Sequence, residues 1–123
     1  QLLTHLLTNA VNLKQLSVVA SKYCWKLYVD ILVLACDGNA VDASSLAVYA
    51  ALNSTFLPTV TPVEKADGVH GSTNKAGDDF MIDSDILHAR VPPGAKDCPI
   101  TITVCRIGNK MVIDCRTEEE VCA

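Results

Sequence analysis

Aromatic residues are scarce in this sequence. Among its 123 residues there are one Trp, three Tyr and two Phe. A surface that stacks the bases of single-stranded nucleic acid needs several exposed rings, so we expect no such platform. Basic residues are fewer than acidic ones. There are ten against fourteen, for a net charge of −4. A free-standing nucleic-acid module usually has a basic face. The balance argues against one, but not against a subunit that forms one wall of a shared channel.

Long apolar runs are also missing. The longest covers residues 27–36 and is interrupted by Asp30, whereas a membrane-spanning helix needs about 18 apolar residues or more. Residues 1–20 lack the basic start and apolar block of a secretory signal. Half of the residues are hydrophobic, which favours folding over disorder. We therefore predict a soluble globular domain, or a piece of one, that has no membrane partner.

The sequence lacks the short motifs of metal and nucleotide sites. It contains no C-x-x-C pair, no His-x-x-x-His or His-Glu-x-x-His spacing, no Gly-x-Ser-x-Gly elbow and no phosphate-binding glycine loop. Each of the three histidines stands alone in the sequence, so we predict neither a metal nor a cofactor. Without an export signal, we interpret the six cysteines as reduced core residues of a cytosolic or nuclear protein, with disulfides as the alternative. They are Cys24, Cys36, Cys98, Cys105, Cys115 and Cys122.

Both ends of the sequence have the pattern of an interrupted helix. Leucines at positions 2, 3, 6 and 7 have helical spacing directly after Gln1. Near the other end, Thr117 followed by three glutamates is typical of an N-cap with a capping box, yet only three residues come after Glu120. We therefore expect a fragment of a single domain that is incomplete at both ends.

The pattern between the ends predicts a mixed α+β class. Residues 24–36 are almost entirely apolar, as in a strand that is covered on both faces. Asp37, Gly38 and Asn39 predict a turn, and a helix rich in small residues should follow from about Ala40 to Asn53, capped by Asn39 or Asp42. We expect residues 58–62 to begin a linker and residues 64–79 to form a flexible surface loop. Further strands are predicted over residues 16–20, 80–86, 87–91, 100–107 and 110–114, the last two as a hairpin around Gly108-Asn109.

Two groups of carboxylates are the candidates for chemistry. Asp30 lies within the predicted buried strand, where a carboxylate needs a partner. It is either a structural carboxylate, paired with a cation or bonded to the backbone, or a catalytic acid. Asp114 ends a predicted strand and precedes the glutamates at 118–120. That arrangement could hold a divalent metal or serve as a general acid, or it could simply be a solvated helix start.

Taken together, several segments resemble the RNase PH family, and within it the ring subunits of the RNA exosome. No single segment would suffice, but their combination is specific and covers most of the chain outside residues 64–79. The segments are residues 24–34, 37–39, 42–48, 50–53, 57–58, 98–101, 105–108, 112–114 and 119–120.

The resemblance implies a fold, an assembly and a role. The fold would be the RNase PH type, a ribosomal protein S5 domain 2-like arrangement of β-α-β units. Such chains assemble with other RNase PH-like subunits into a hetero-hexameric ring, joined by cap subunits, with RNA in the central channel. We expect such a protein in the nucleus, nucleolus and cytoplasm.

The resemblance also places Asp114 and Glu120 on the family's catalytic positions. Active members degrade RNA from its 3′ end with phosphate. Here Glu120 stands where they have a second Asp, and a displacement of about 1 Å can cost about 100-fold in rate. The family's phosphate-binding groups lie outside this sequence. The resemblance therefore implies a non-catalytic ring subunit. The alternatives are an active phosphorolytic exoribonuclease and an unrelated small α+β binding domain.

Overall fold

The computed structural model describes residues 4, 5, 7, 8, 11, 13–19, 22–63 and 80–123. One long helix, α1 (Ala40–Asn53), and a short one, α2 (Thr117–Glu120), are joined by three β-ribbons. The ribbons pair β1 (Ser17–Val19) with β2 (Tyr23–Cys24), β3 (Val60–Pro62) with β4 (Phe80–Ile82), and β5 (Val104–Ile107) with β6 (Lys110–Ile113). This mixture confirms the α+β class, while the finer β-α-β arrangement stays a prediction.

Helix α1 has the bounds that the sequence predicts. It begins after a turn in which Gly38 and Asn39 both have positive φ, of 93° and 48°. It ends where the Ser54 N–H donates to the carbonyls of Ala50 and Ala51. Its buried residues, Ser45, Val48 and Leu52, recur at intervals of three and four and so lie on one face.

That face covers a small core. Val48 and Leu52 pack with Ala95, which lies in the short 3₁₀ turn Ala95–Asp97, and with Cys98, which caps that turn. Asn53 Nδ2 fastens the two parts by donating to the Ala95 carbonyl at 3.1 Å. Burying a large apolar side chain stabilises a fold by about 1.5–3 kcal/mol. With so few buried side chains in the described part of the chain, polar contacts also matter for holding its elements together.

The long strand predicted over residues 24–36 is wrong. Only Tyr23–Cys24 pair with β1, and residues 25–36 belong to none of the ladders among the described strands. Leu32 and Leu34 are 82% and 88% exposed. An apolar run becomes a buried strand only where a neighbouring strand takes up its backbone hydrogen bonds, and here none does. Asp30 is therefore exposed and does not need the buried partner that the sequence led us to expect.

Other strand boundaries also move. The predicted strand over 80–86 shortens to β4, because the Asp85 carboxylate accepts the Leu87 N–H at 2.9 Å and starts a 3₁₀ turn at Ile86–His88. The strand predicted over 87–91 reduces to a bridge between Arg90 and Leu57. The predicted linker includes β3. Leu2, Leu3, Leu6 and the loop 64–79 lie outside the described residues, whereas residues 4, 5, 7 and 8 are helical as expected.

The hairpin around Gly108-Asn109 is confirmed, with Ile107 opposite Lys110 and Val104 opposite Ile113. Its first strand begins at Val104 instead of residue 100. The reason is that the backbone N–H groups of Thr101 and Thr103 donate to side chains of α1. Those donors are therefore not available to a strand ladder.

The cysteines correct a further prediction. All six are free thiols, but only Cys98 and Cys115 are buried, while Cys24, Cys36 and Cys122 are exposed. They are therefore not uniformly core residues. Separately, no helix in the described ranges combines the length and the apolarity needed to cross a bilayer.

Gly38 offers a test of this architecture. A Cβ on Gly38 would lie 2.3 Å from the Cys115 carbonyl oxygen, and its φ of 93° is strained for any other residue. We expect Gly38→Ala to lower the free energy of unfolding by at least about 3 kcal/mol, combining strain and overlap. Gly108→Ala is the matched control, because Gly108 also has positive φ but has open space around it. It should cost only about 1–2 kcal/mol. Urea unfolding measures both, and equal losses would contradict the close approach.

Candidate functional site

Asp114 and Glu120, which the resemblance places on catalytic positions, lie where the end of the hairpin meets the start of α1. Glu120, in α2, extends a carboxylate oxygen to the backbone N–H of Asn39 at 2.8 Å. The two residues are 81 positions apart in the sequence. The contact fixes α2 against the turn that precedes α1. The Glu120 carboxylate thus has a structural task.

Asp114 ends β6 in an unusual backbone conformation. Its φ is 59°, in the left-handed region, which Asp tolerates better than most residues because its short polar side chain can bond locally. The next residue, Cys115, carries the carbonyl that packs against Gly38. Asp114 itself is exposed, and no described residue forms a hydrogen bond with its carboxylate. The structure therefore brings Asp114 and Glu120 to the same junction but gives a contact only to Glu120.

The cap of α2 lies one residue before the predicted one. The N-cap is Arg116 instead of Thr117, and the backbone N–H of Arg116 donates to the Glu119 carboxylate at 3.0 Å. Glu119 and Glu120 thus both accept backbone N–H groups. This supports the interpretation of the acidic cluster as a helix start, which the sequence left open.

A second polar group at this junction was missed by sequence reasoning. The Asp42 carboxylate accepts the backbone N–H of Thr103, the hydroxyl of Thr103 at 3.0 Å and the side-chain amide of Asn39 at 2.8 Å. The sequence predicts Asp42 only as a possible cap of α1. The available signal was the Thr-x-Thr pattern at 101 and 103, which places two hydroxyls on the same side of an extended chain.

Ser45 adds the second attachment between α1 and the hairpin. Ser45 is only 2% exposed, and its hydroxyl donates to the Asp42 carbonyl at 2.8 Å. The same oxygen accepts the backbone N–H and the hydroxyl of Thr101, each at 3.0 Å. Every hydrogen-bonding position of this buried hydroxyl is therefore used.

The environment of Asp42 shifts its titration. Desolvation alone raises the pKa of Asp42, but hydrogen bonds from the Thr103 backbone, Asn39, Thr101 and the Thr103 hydroxyl outweigh it. The net pKa is below the ordinary value, because the charged carboxylate is the better acceptor. The junction is therefore built around an ionised Asp42.

His88 lies beside a carboxylate that the sequence did not single out. Its Nδ1 lies 2.7 Å from the Asp83 carboxylate. The pKa of Asp83 is lowered, first by the Asp85 backbone N–H and then by the hydrogen bond with His88. Within the described ranges, no cluster of three His, Cys, Asp or Glu residues could hold a metal ion.

The main cleft lies away from this junction. It has a volume of about 530 Å³ and is lined by Trp25, by the Leu57–Arg90 bridge and by Pro93, among others. Neither Asp114 nor Glu120 lines it. Sequence reasoning gave no signal for this cleft, because the residues come from distant segments.

Comparison with known proteins points to one family. Residues 1–58 match the RNase_PH model, described as "3' exoribonuclease family, domain 1". A Dictyostelium discoideum protein named "Putative exosome complex exonuclease RRP42" is 36% identical over 95% of this chain and 33% of its own length. A Methanosarcina acetivorans protein named "Exosome complex component Rrp42" is 32% identical over 92% of this chain and 34% of its own length. The protein of the same name from Thermococcus kodakarensis is 33% identical over 92% of this chain and 36% of its own length.

The matches to these three relatives extend over nearly the whole chain but only part of each relative. The chain spans about a third of the length of the curated relatives it matches. No solved structure matches it significantly.

Removing the Ser45 hydroxyl tests the attachment of α1 to the hairpin. Ser45→Ala leaves the buried N–H of Thr101 without its acceptor, so we expect a loss of about 1–3 kcal/mol in the free energy of unfolding. Ser44→Ala is the matched control, because the Ser44 hydroxyl only donates back to the Ala40 carbonyl within α1. Its effect should stay within about 0.5 kcal/mol. Similar losses in the two variants would show that the Thr101 contact contributes nothing.

The lowered pKa of Asp42 predicts a pH dependence. A carboxyl whose pKa is lower in the folded state contributes stability above its unfolded pKa, of about 3.9, and that stability is lost as the pH falls through the lower folded value. We expect Asp42→Asn to make the stability less sensitive to acid below about pH 4, because the amide does not titrate there. Urea unfolding at a series of pH values measures this. Glu118→Gln, which removes an exposed carboxylate from α2, should leave the contribution of Asp42 to the pH dependence of stability in place. An unchanged pH dependence of stability in Asp42→Asn would contradict the lowered pKa of Asp42.

Proposed function

Because this chain belongs to the RNase PH family, we propose that it is part of a ring subunit of the RNA exosome, which scaffolds the ring and threads RNA toward nucleases for 3′-to-5′ processing and degradation. The observation that carries the proposal is the likeness over more than nine-tenths of this chain to relatives named as exosome components. Since the chain spans a third of those relatives, the role is proposed for the protein as a whole.

The proposed partners follow from the family. They are other RNase PH-like subunits in a hetero-hexameric ring, the cap subunits, and RNA in the central channel. A net charge of −4 argues against a chain that binds RNA by itself, which would usually be basic, and is compatible with a subunit that contributes one wall of such a channel. We propose that the protein acts in the nucleus, nucleolus and cytoplasm, with no cofactor of its own.

We propose further that this subunit is not catalytic. Glu120 replaces the Asp of active family members, and its carboxylate is occupied by the Asn39 N–H. A carboxylate that anchors a helix to a turn is poorly placed to exchange protons with a substrate, because leaving its partner would loosen the fold. This contact supports a scaffold role.

The second candidate is an active phosphorolytic exoribonuclease. The name of the Dictyostelium relative includes "exonuclease". Asp114 is exposed and has no hydrogen-bond partner among the described residues. An unrelated small α+β binding domain, the third alternative, is ruled out by the family match.

The assembly can be tested by gentle affinity capture of the full-length protein from cells, followed by native mass measurement. We expect several RNase PH-like chains to copurify in a ring of defined mass. A protein that remains monomeric, with none of these chains bound, would overturn the proposed function.

Catalysis can be tested within the assembled complex. We expect Asp114→Ala and Glu120→Gln to leave the phosphate-dependent release of nucleoside diphosphates from an RNA 3′ end unchanged. Glu120→Gln keeps an oxygen acceptor for Asn39, so the fold should survive, and Glu118→Ala serves as the surface control. If Asp114 were a general acid or base, its loss would lower the rate by about 100-fold or more. Such a loss would favour the exoribonuclease instead.

A further inference from the structure

Two of the cysteines converge on one residue of the hairpin. Cys105 in β5 is the cross-strand partner of Val112 in β6. Cys115 follows three residues later, and its thiol turns back toward the Val112 carbonyl, with a sulfur-to-oxygen distance of 3.8 Å. The left-handed conformation of Asp114 reverses the chain between them. Register and turn together bring the two thiols to the same end of the hairpin.

The two thiols interact with each other. A hydrogen bond to Cys105, followed by burial and the nearby Cys105 and glutamate charges, raises the pKa of Cys115 to about 11. Cys115 thus remains a thiol at neutral pH, with its proton directed toward the Val112 carbonyl.

Access differs between the two sulfurs. Cys115 is only 2% exposed, whereas Cys105 is half-buried and can be reached from solvent. The other thiols belong to other elements of the fold. Cys98 belongs to the core under α1, and the remaining three are exposed on other segments.

We propose that Cys105 and Cys115 are a redox modification site that closes into an intramolecular disulfide when the protein meets a small disulfide such as oxidised glutathione. The inference is independent of the proposed function. The Cys105 thiolate attacks one glutathione sulfur, which forms a mixed disulfide and releases the other glutathione as a thiolate that takes up a proton. Cys115 then gives up its thiol proton, and its sulfur attacks the Cys105 sulfur and displaces the second glutathione as a thiolate that takes up a proton. The two protein thiols lose two hydrogens in total, and oxidised glutathione becomes two molecules of reduced glutathione.

Closure would tie β5 to the connection between β6 and α2. That connection includes Asp114 and the Cys115 carbonyl that packs against Gly38. Oxidation would therefore fix the junction from its hairpin side, while Glu120 fixes it through Asn39.

The test is disulfide mapping of the full chain under native conditions. The protein is incubated with oxidised glutathione, alkylated and digested with trypsin without reduction. Cleavage after Lys96, Arg106, Lys110 and Arg116 should yield peptide 97–106 joined to peptide 111–116, with two of the six thiols lost. Fragmentation between Cys98 and Cys105 assigns the linkage, because both lie in the first peptide.

Variants separate the two steps. Cys115→Ser should stop the reaction at a glutathione adduct on Cys105, and Cys105→Ser should abolish the linkage. Cys24→Ser, which removes an exposed thiol in β2, should form it as the parent does. In urea, the pairing should give way to a mixture of linkages.

Three results would overturn the proposal. The first is a stable glutathione adduct on Cys105 in the parent protein, and the second is a linkage of Cys115 to Cys98. The third is reaction confined to Cys24, Cys36 and Cys122. Each would show that the fold does not align the two sulfurs for exchange.

Discussion

The described structure depends on the attachment of the start of α1 to the hairpin. Asp42 and Ser45, on the first turns of the helix, accept the backbone N–H groups of Thr103 and Thr101. Because the apolar core beneath α1 is small, these bonds supply much of the order between two segments far apart in sequence. They also explain where β5 begins, since backbone donors that serve the helix cannot also serve a ladder. The cost of leaving a buried donor unpaired makes this arrangement specific.

The same junction clarifies the role of the carboxylates. Acidic residues at positions 114–120 have the composition of a catalytic or metal site, but two of the glutamates bind backbone N–H groups of the fold itself. The carboxylates of Asp114 and Glu118 have no hydrogen-bond partner among the described residues. Glu119 and Glu120 therefore have a role in the fold, whether or not they also take part in a reaction.

Many large apolar residues of this chain are exposed to solvent. Residues 25–36 are extended and rich in exposed aliphatic side chains, and the ribbon of β5 and β6 exposes Val104, Met111 and Ile113. Large contiguous apolar surfaces on a soluble chain usually mark contacts with further protein. In the proposed role, both the rest of the protein and neighbouring ring subunits would supply such contacts.

The sequence by itself determined the features that depend on neighbouring residues. Gly38 and Asn39 predict a turn because they tolerate positive φ. The small and apolar residues that follow predict α1 to its correct ends, and Gly108-Asn109 predicts the hairpin. The family resemblance also came from the sequence alone, because it rests on the order of short segments. These signals are local, so they hold whatever the rest of the chain does.

Tertiary structure decided whatever depends on contact between distant segments. It left residues 25–36 outside the strand ladders of the described residues, because apolar composition cannot specify which strand lies alongside. It moved Asp42 from a cap to the centre of a network, joined His88 to Asp83, and gave Glu120 a partner 81 positions away. It also decided which thiols are buried and which two meet. The physical reason is that a hydrogen bond between remote groups depends on where the whole chain places them, and composition or periodicity near either group carries no record of that.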